Sequence, residues 1–493
     1  MNLNAVGLTR ICFRHMDLPN PLELRCLARS LSGQRSLTHL RIEMISAGAM
    51  SCLSAPMVLV LFLALPRSIV SVKLEAMIHA DDGTDERRLR IVPDTPGEGN
   101  EDEKEKESSL DWMEGDLVAR EEPLESLKEL ALPSFRMGYT ADHVRRILRH
   151  CPVLETWDIP CVRNEEAAEA MTRMVREMVS RAEQGQEQGH RHGLGRELKK
   201  SLLRHLTAKY PWQDCRGERW ASVLDALPEQ QVESMEFSLY TDVFPDKFVP
   251  ALLRHCEVLQ SVVFLDVQKI RSSTLATILR RCHGLQKFWA TGLYGRSIFL
   301  DLNDAIEQEW ICKDIKDLRI TVDLSVLSSQ GMGNSGSAAR SRKVDYGEPF
   351  DLPPTREYWM KLKMFYTQMG KLTELEVMEL IAAGLESRST YMSEALTGLL
   401  SLEEEDKDTG KRGFLSLLSG LKKLRVVHGS FWSESWAARR TFGQRETEWI
   451  AENWLTLEEI ELLPRKYMMR GGVNLPEHLK WLREKKPELK LCR

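Results

Sequence analysis

Between Val249 and Gly292 one pattern occurs twice in succession. A helical phrase, Ala251-Leu252-Leu253-Arg254-His255-Cys256, leads into a strand phrase with apolar residues at positions 1, 4 and 6, Leu259-x-x-Val262-x-Phe264. The second copy is Leu275-Ala276-Thr277-Ile278-Leu279-Arg280-Arg281-Cys282 and then Leu285-x-x-Phe288-x-Ala290, about 26 residues on. A unit of one strand and one helix cannot bury its apolar side alone, so neighbouring units must stack. The expected fold is therefore α/β: a leucine-rich-repeat solenoid with a curved parallel sheet on its concave face and helices on its convex face.

The same strand phrase opens at Leu37, Ile69, Leu127, Leu154, Val232, Ile315, Leu375, Leu421 and Leu457. Three apolar residues at this spacing arise by chance many times in a long chain. The stronger signal is the coupled unit of helix, cysteine corner and strand, found at Cys151, Cys256 and Cys282. Cysteine suits such a corner because it is small and tolerates burial. Residues 1–80 read as irregular N-terminal repeats and 81–122 as an acidic, disordered insertion. Residues 123–465 form the solenoid proper, with flexible insertions near 184–195, 328–350 and 403–413, and 466–493 form a polar-faced C-terminal cap. A helix is expected from Asn164, as N-cap, to about Ala182, its stripe of Met171, Met174, Val175 and Met178 serving as core.

Bulk composition narrows the function classes. At 42% hydrophobic and 29% charged, 493 residues suffice for packed cores. A net charge of −5 provides no electrostatic footprint for nucleic acid. The ten cysteines lack C-x-x-C spacing, which reads as reduced, buried thiols in a cytoplasmic or nuclear protein. Arg10, Arg14, His15 and Asp17 stand where a secretory signal would be apolar. The uncharged run Met44 to Pro66 is long enough to span a bilayer, roughly 20 residues being needed. Pro56 interrupts it and strand phrases flank it in register, so it reads as a repeat helix; a membrane-tethered scaffold through 44–66 is the alternative.

Three blocks carry a family resemblance. They are the Cys-Pro and Cys-Glu corners, Phe365-Tyr366-x-Gln368-x-Gly370 running on to Leu375-Glu376-Val377-Met378-Glu379-Leu380, and Phe442-Gly443-Gln444-Arg445-Glu446 through Trp454. Over about residues 124–465 the chain resembles fungal F-box/leucine-rich-repeat proteins. The resemblance implies a repeat surface that receives substrates for an SCF-type ubiquitin ligase, and a Skp1-type adaptor held through an N-terminal F-box. Leu18-Pro19-Asn20-Pro21-Leu22-Glu23 resembles the opening of such a motif, which is otherwise absent or degenerate.

No coherent catalytic constellation is visible. Gly331-Met332-Gly333-Asn334-Ser335-Gly336 matches a dinucleotide fingerprint, but no amphipathic helix follows to receive a pyrophosphate. His190-x-His192 has no third ligand nearby. A non-enzyme with neither cofactor nor metal is expected, and recognition then falls to phrase positions 3 and 5, between the buried strand residues. From that stripe Asp158, Glu236, Val263, Lys287, Trp289, Arg319, Glu379 and Arg425 are the candidate partner-binding residues. Its mixed signs suit a protein better than a nucleic acid. Trp289 with Val263 would make an apolar centre, unless the strand runs one residue out of register and Trp289 is core. The functional expectation is non-catalytic protein recognition, with activation of a small GTPase as the alternative.

Overall fold

The computed structural model describes residues 8–17, 21–46, 55–78, 122–133, 138–160, 162, 164–191, 203–208, 218–238, 245–265, 267, 270–292, 298–323, 356–382, 402, 413–429, 442–462 and 475–491. They divide into two compact units, Met1–Val232 and Glu233–Arg493. In the first unit the order is β1 (Arg10–Asp17), α1 (Pro21–Ser32), β2 (His39–Ser46), α2 (Ala55–Leu63), β3 (Ser71–Ile78), β4 (Glu129–Ala131), α3 (Ala141–Arg149), β5 (Thr156–Asp158), α4 (Glu165–Arg191), β6 (His205–Ala208) and α5 (Glu218–Asp225). Strands β1 to β6 pair in chain order, all parallel.

The second unit contains β7 (Ser234–Ser238), α6 (Pro245–Leu253), β8 (Ser261–Leu265), α7 (Ser272–Arg281), β9 (Lys287–Thr291), β10 (Leu300–Asp301), α8 (Leu302–Ile306), β11 (Asp317–Asp323), α9 (Arg356–Met369), β12 (Val377–Ala382), a 3-10 turn (Leu415–Leu418), β13 (Val426–Gly429), α10 (Gln444–Asn453), β14 (Glu459–Ile460) and α11 (Glu477–Lys485). Its strands again pair in parallel, β9 directly with β11, while short β10 meets the far end of β11. Each unit is thus an α/β stack of leucine-rich-repeat coils.

The backbone explains the period. At phrase position 2 a carbonyl receives two N–H groups from the next coil, a fork repeated along each unit. Gln260 O accepts from Gln286 at 2.7 Å and Lys287 at 2.9 Å, and Gln286 O accepts from Lys316 at 2.7 Å and Asp317 at 3.1 Å. The fork recurs in the first unit at Thr9, Thr38, Val70, Lys128 and Glu155. Positions 1, 4 and 6 then point into the core: Leu259, Val262 and Phe264, like Leu285, Phe288 and Ala290, are fully buried. Phe237, Phe248 and Phe264 cluster there, with ring centroids 5.4–6.4 Å apart. Burial of Cys151 and Cys282 raises their thiol pKa values, and burial pushes Cys312 up to about 12. Cys312 occupies the same corner slot, three residues before Ile315.

Several expectations are revised. Asn164 does cap α4, its Oδ1 accepting from Ala167 N at 3.0 Å, but the helix runs to Arg191. The glycines at 185 and 189 each cost a helix about 1 kcal/mol, and the surrounding Gln, Glu and Arg are good enough formers to carry it. Two coils escaped the sequence reading, Leu8-x-x-Ile11-x-Phe13 at β1 and Leu203-x-x-Leu206-x-Ala208 at β6. Within Met44–Pro66 the described helix is the nine-residue α2, whose Val58 to Phe62 are buried in the first unit. Among the described residues no helix is long and apolar enough to cross a membrane. The expected insertions at 81–121, 328–350 and 403–412 lie outside the described residues. The C-terminal segment adds α11 and one more bridge, Lys490 to Glu459.

The register at β13 is also corrected. Met378 pairs with Val427 and Glu379 with His428, so the phrase there is Leu424-x-x-Val427-x-Gly429, three residues later than Leu421 suggests. Glycine at position 6 hides it. A Cβ on Gly429, whose φ is +117°, would collide with the Leu380 carbonyl oxygen, so no apolar side chain fits the slot.

The α8–α9 junction is held by one amide. Gln368 Oε1 accepts from Trp310 N at 2.8 Å, and its Nε2 donates to Ala305 O at 3.0 Å and Gln308 O at 3.2 Å. Each buried group left unpaired costs about 1–3 kcal/mol. Gln368→Ala is therefore expected to lower unfolding free energy by at least about 2 kcal/mol in urea titrations.

Candidate partner-binding surface

Alternation along each strand places positions 3 and 5 on the sheet face turned away from the helices. In the second unit position 5 reads Glu236, Val263, Trp289, Arg319, Glu379 and His428 across adjacent strands. Position 3 reads Ser234, Ser261, Lys287, Asp317, Val377, Val426 and Glu459.

Trp289 is the centre of this face. Its neighbours along the strand, Phe288 and Ala290, are fully buried, whereas Trp289 is partly exposed, so it is not core. Two cations stack on its ring: Lys287 Nζ lies 3.8 Å and Arg319 Cζ 4.0 Å from the centroid. Its Nε1 is shielded from solvent and has no acceptor among the described residues. Arg319 is anchored from the other side. Its Nε donates to Asp317 Oδ1 at 2.9 Å, and its guanidinium lies 3.6 Å from Glu379 Oε2.

Not every expected residue belongs here. Val263 stands beside Trp289 in register but is 1% exposed, so it forms the floor and offers no contact surface. Glu379 is likewise buried against Arg319. Glu236 and Lys287 are partly exposed on either side of Val263. Arg425 is not at position 5 at all. It occupies position 2, the slot of the forked carbonyl, and reaches Glu458 at 2.8 Å and 2.9 Å and Glu376 at 3.8 Å. The hydrogen bond from Arg425 and then its charge hold the Glu458 carboxyl below its ordinary range. The residue in the slot assigned to Arg425 is His428, whose Nε2 donates to Glu459 Oε1 at 2.7 Å. Gly429, which disguises the register, is why His428 was missed. Asp158 sits on β5 of the first unit, between Ala131 and Thr207, apart from the other seven in the domain division.

The corresponding face of the first unit is built differently. Arg41 and Lys73 are opposed in register, and carboxylates relieve the repulsion: Arg41 pairs with Glu43 at 2.8 Å and Glu75 at 2.9 Å, and Lys73 with Glu129 at 2.6 Å. Burial alone would push the Glu129 carboxyl up. Hydrogen bonds from Lys73 and from Ser71 Oγ, the latter at 2.6 Å, with the Lys73 charge, outweigh it and hold the group below its ordinary value. An apolar pocket in this unit, lined by Leu132, Tyr139, Val144, Ile147, Leu148, Trp157 and Pro160, contains no titratable group other than the tyrosine phenol. That phenol donates to Pro133 O at 3.1 Å.

No protein-family model matches this chain, and no curated protein matches it by sequence. Among solved structures it is similar to the crystal structure of the Rad7 and Elc1 complex in yeast. The likeness has 11% identity, covers 94% of this chain and 80% of that one, and has a TM-score of 0.34. A likeness of that size assigns neither partner nor activity.

Two outcomes are expected from this geometry. Cation–π contacts at exposed sites contribute about 0.5–1 kcal/mol each, so Trp289→Ala should cost less than about 2 kcal/mol, against about 3–5 kcal/mol for Phe264→Ala in the core. Urea titrations of the two variants make the comparison. Glu129 has a depressed folded pKa, so its contribution is present above its unfolded value and is lost as pH falls through the folded one. Between about pH 5 and 3 the wild type should therefore lose urea stability more steeply than Glu129→Gln. Parallel slopes for the two proteins would contradict the ladder.

Proposed function

We propose that this chain is a non-catalytic recognition protein that binds another protein through the sheet face of its second unit. The observation that carries the reading is the Trp289 cluster. A large aromatic ring stands partly exposed among strands whose remaining charges are mostly paired, and tryptophan and arginine are the side chains that most often anchor protein interfaces. Cations stacked on the ring keep it upright and limit the ordering entropy a partner must overcome. The mixed signs along the face favour a protein ligand over a polyanion.

The finer reading is that the captured protein is a substrate delivered to an SCF-type ubiquitin ligase through a Skp1-type adaptor. Its support is the resemblance of the Phe365–Leu380 and Phe442–Trp454 blocks to fungal F-box/leucine-rich-repeat proteins; these blocks form α9 with β12, and α10. Of the F-box-like opening Leu18 to Glu23, Pro21–Glu23 form the first residues of α1, and Leu18–Asn20 lie outside the described residues.

The test compares proteins captured by the wild type, by Trp289→Ala and by Lys73→Ala on the first unit's face. A partner retained by Lys73→Ala and depleted about tenfold by Trp289→Ala is the expected result. Equal capture by all three would reject this face. Absence of a Skp1-type adaptor from the wild-type capture would remove the ligase reading and leave the recognition reading standing.

A further inference from the structure

The charges on the second unit's face can be checked one by one for partners. Asp317 is engaged by Arg319, Arg319 by Asp317 and Glu379, His428 by Glu459, and Glu461 accepts from Gly429 N at 3.1 Å. Two groups are left over. Glu236 has no hydrogen-bond or ion-pair partner among the described residues. The Lys287 ammonium has only the Trp289 ring. They lie on the strands to either side of β8, Glu236 in register with Val263 and Lys287 with Ser261, two residues before it. Two strand spacings across the sheet and two residues along it set their Cα atoms about 12 Å apart.

A lone surface charge is ordinarily just hydrated, but Lys287 is not alone. It is drawn onto an indole whose own N–H is shielded from water and unpaired among the described residues. An unpaired buried donor is unfavourable until an acceptor arrives. Two donors of the same strand, the Lys287 ammonium and the Trp289 Nε1–H, therefore share one missing complement, an anionic acceptor.

We propose that the partner docks here by an acidic peptide segment, one carboxylate of which takes the Lys287 ammonium and the Trp289 Nε1–H together. A basic residue of the same segment, about 12 Å away, meets Glu236. The inference rests on the recognition reading above and specifies the chemistry of what is recognised. A carboxylate suits the site because its two oxygens can serve two donors carried by one strand.

The experiment uses the full chain and a display library of random linear dodecapeptides. Peptides selected on the wild type should carry an Asp or Glu, with a Lys or Arg a few residues away. A selected peptide, synthesised, should bind about tenfold more weakly to Lys287→Met, and to the wild type when its acid is changed to the amide. Lys287→Glu should favour peptides in which that acid is replaced by lysine. The indole N–H resonance of Trp289, assigned by its absence in Trp289→Phe, should move on titration with the acidic peptide and not with its amide counterpart. Peptides that bind without an acid, or that are indifferent to Lys287→Met, overturn this inference and leave recognition by this face intact. A library that yields no binder to this face likewise overturns the inference, while the capture comparison decides the recognition reading. An unchanged melting temperature for Lys287→Met separates lost binding from lost folding.

Discussion

One backbone interaction sets the spacing of everything else. In coil after coil a carbonyl at the second position of the strand phrase accepts two N–H groups from the next coil. This fork fixes register to the residue, and a slip of one would turn every buried side chain outward. Leu259, Val262 and Phe264 are inward because Gln260 O faces Gln286 and Lys287 N–H; Val263 is on the opposite face for the same reason. The helices and corners between coils vary in length, while the fork does not.

Because register is fixed, side chains at one position form rows across the sheet, and the rows have distinct physics. Position 2 is at least partly exposed and carries charge ladders such as Glu376, Arg425 and Glu458, whose contacts solvent screens. Positions 3 and 5 differ between the two units. In the first, Arg41, Lys73, Glu75 and Glu129 satisfy one another. In the second, the row is interrupted by Trp289, and the cations nearest it are directed to its ring. That interruption separates a face whose central charges pair with one another from one where the Lys287 ammonium meets the indole ring.

The coil architecture was legible because each phrase carries its own evidence: three apolar residues and a corner that accepts cysteine. It failed at positions where the structure needs an atypical residue. Gly429 must be glycine to clear Leu380, and its missing side chain shifted the apparent phrase to Leu421, which moved Arg425 into the site and left His428 out. Coils at β1 and β6 were overlooked because polar neighbours such as Arg10, Arg14 and His205 mask the apolar triplets. The candidate site was half legible. Trp289, Lys287 and Arg319 follow from register alone, but the burial of Val263 does not, since it depends on how neighbouring side chains lean across the sheet.

The proposed function is recognition by a prepared aromatic surface on a backbone frame that holds it in place. It makes Trp289 the residue most changed by a partner. Oxidative side-chain footprinting of the free protein and of its complex with a captured partner measures this directly. Trp289 should lose reactivity in the complex, while Met360 and Met364, 54% and 49% exposed on α9, should react as before. Unchanged Trp289 with protected Met360 and Met364 would place recognition on the helices and contradict the account.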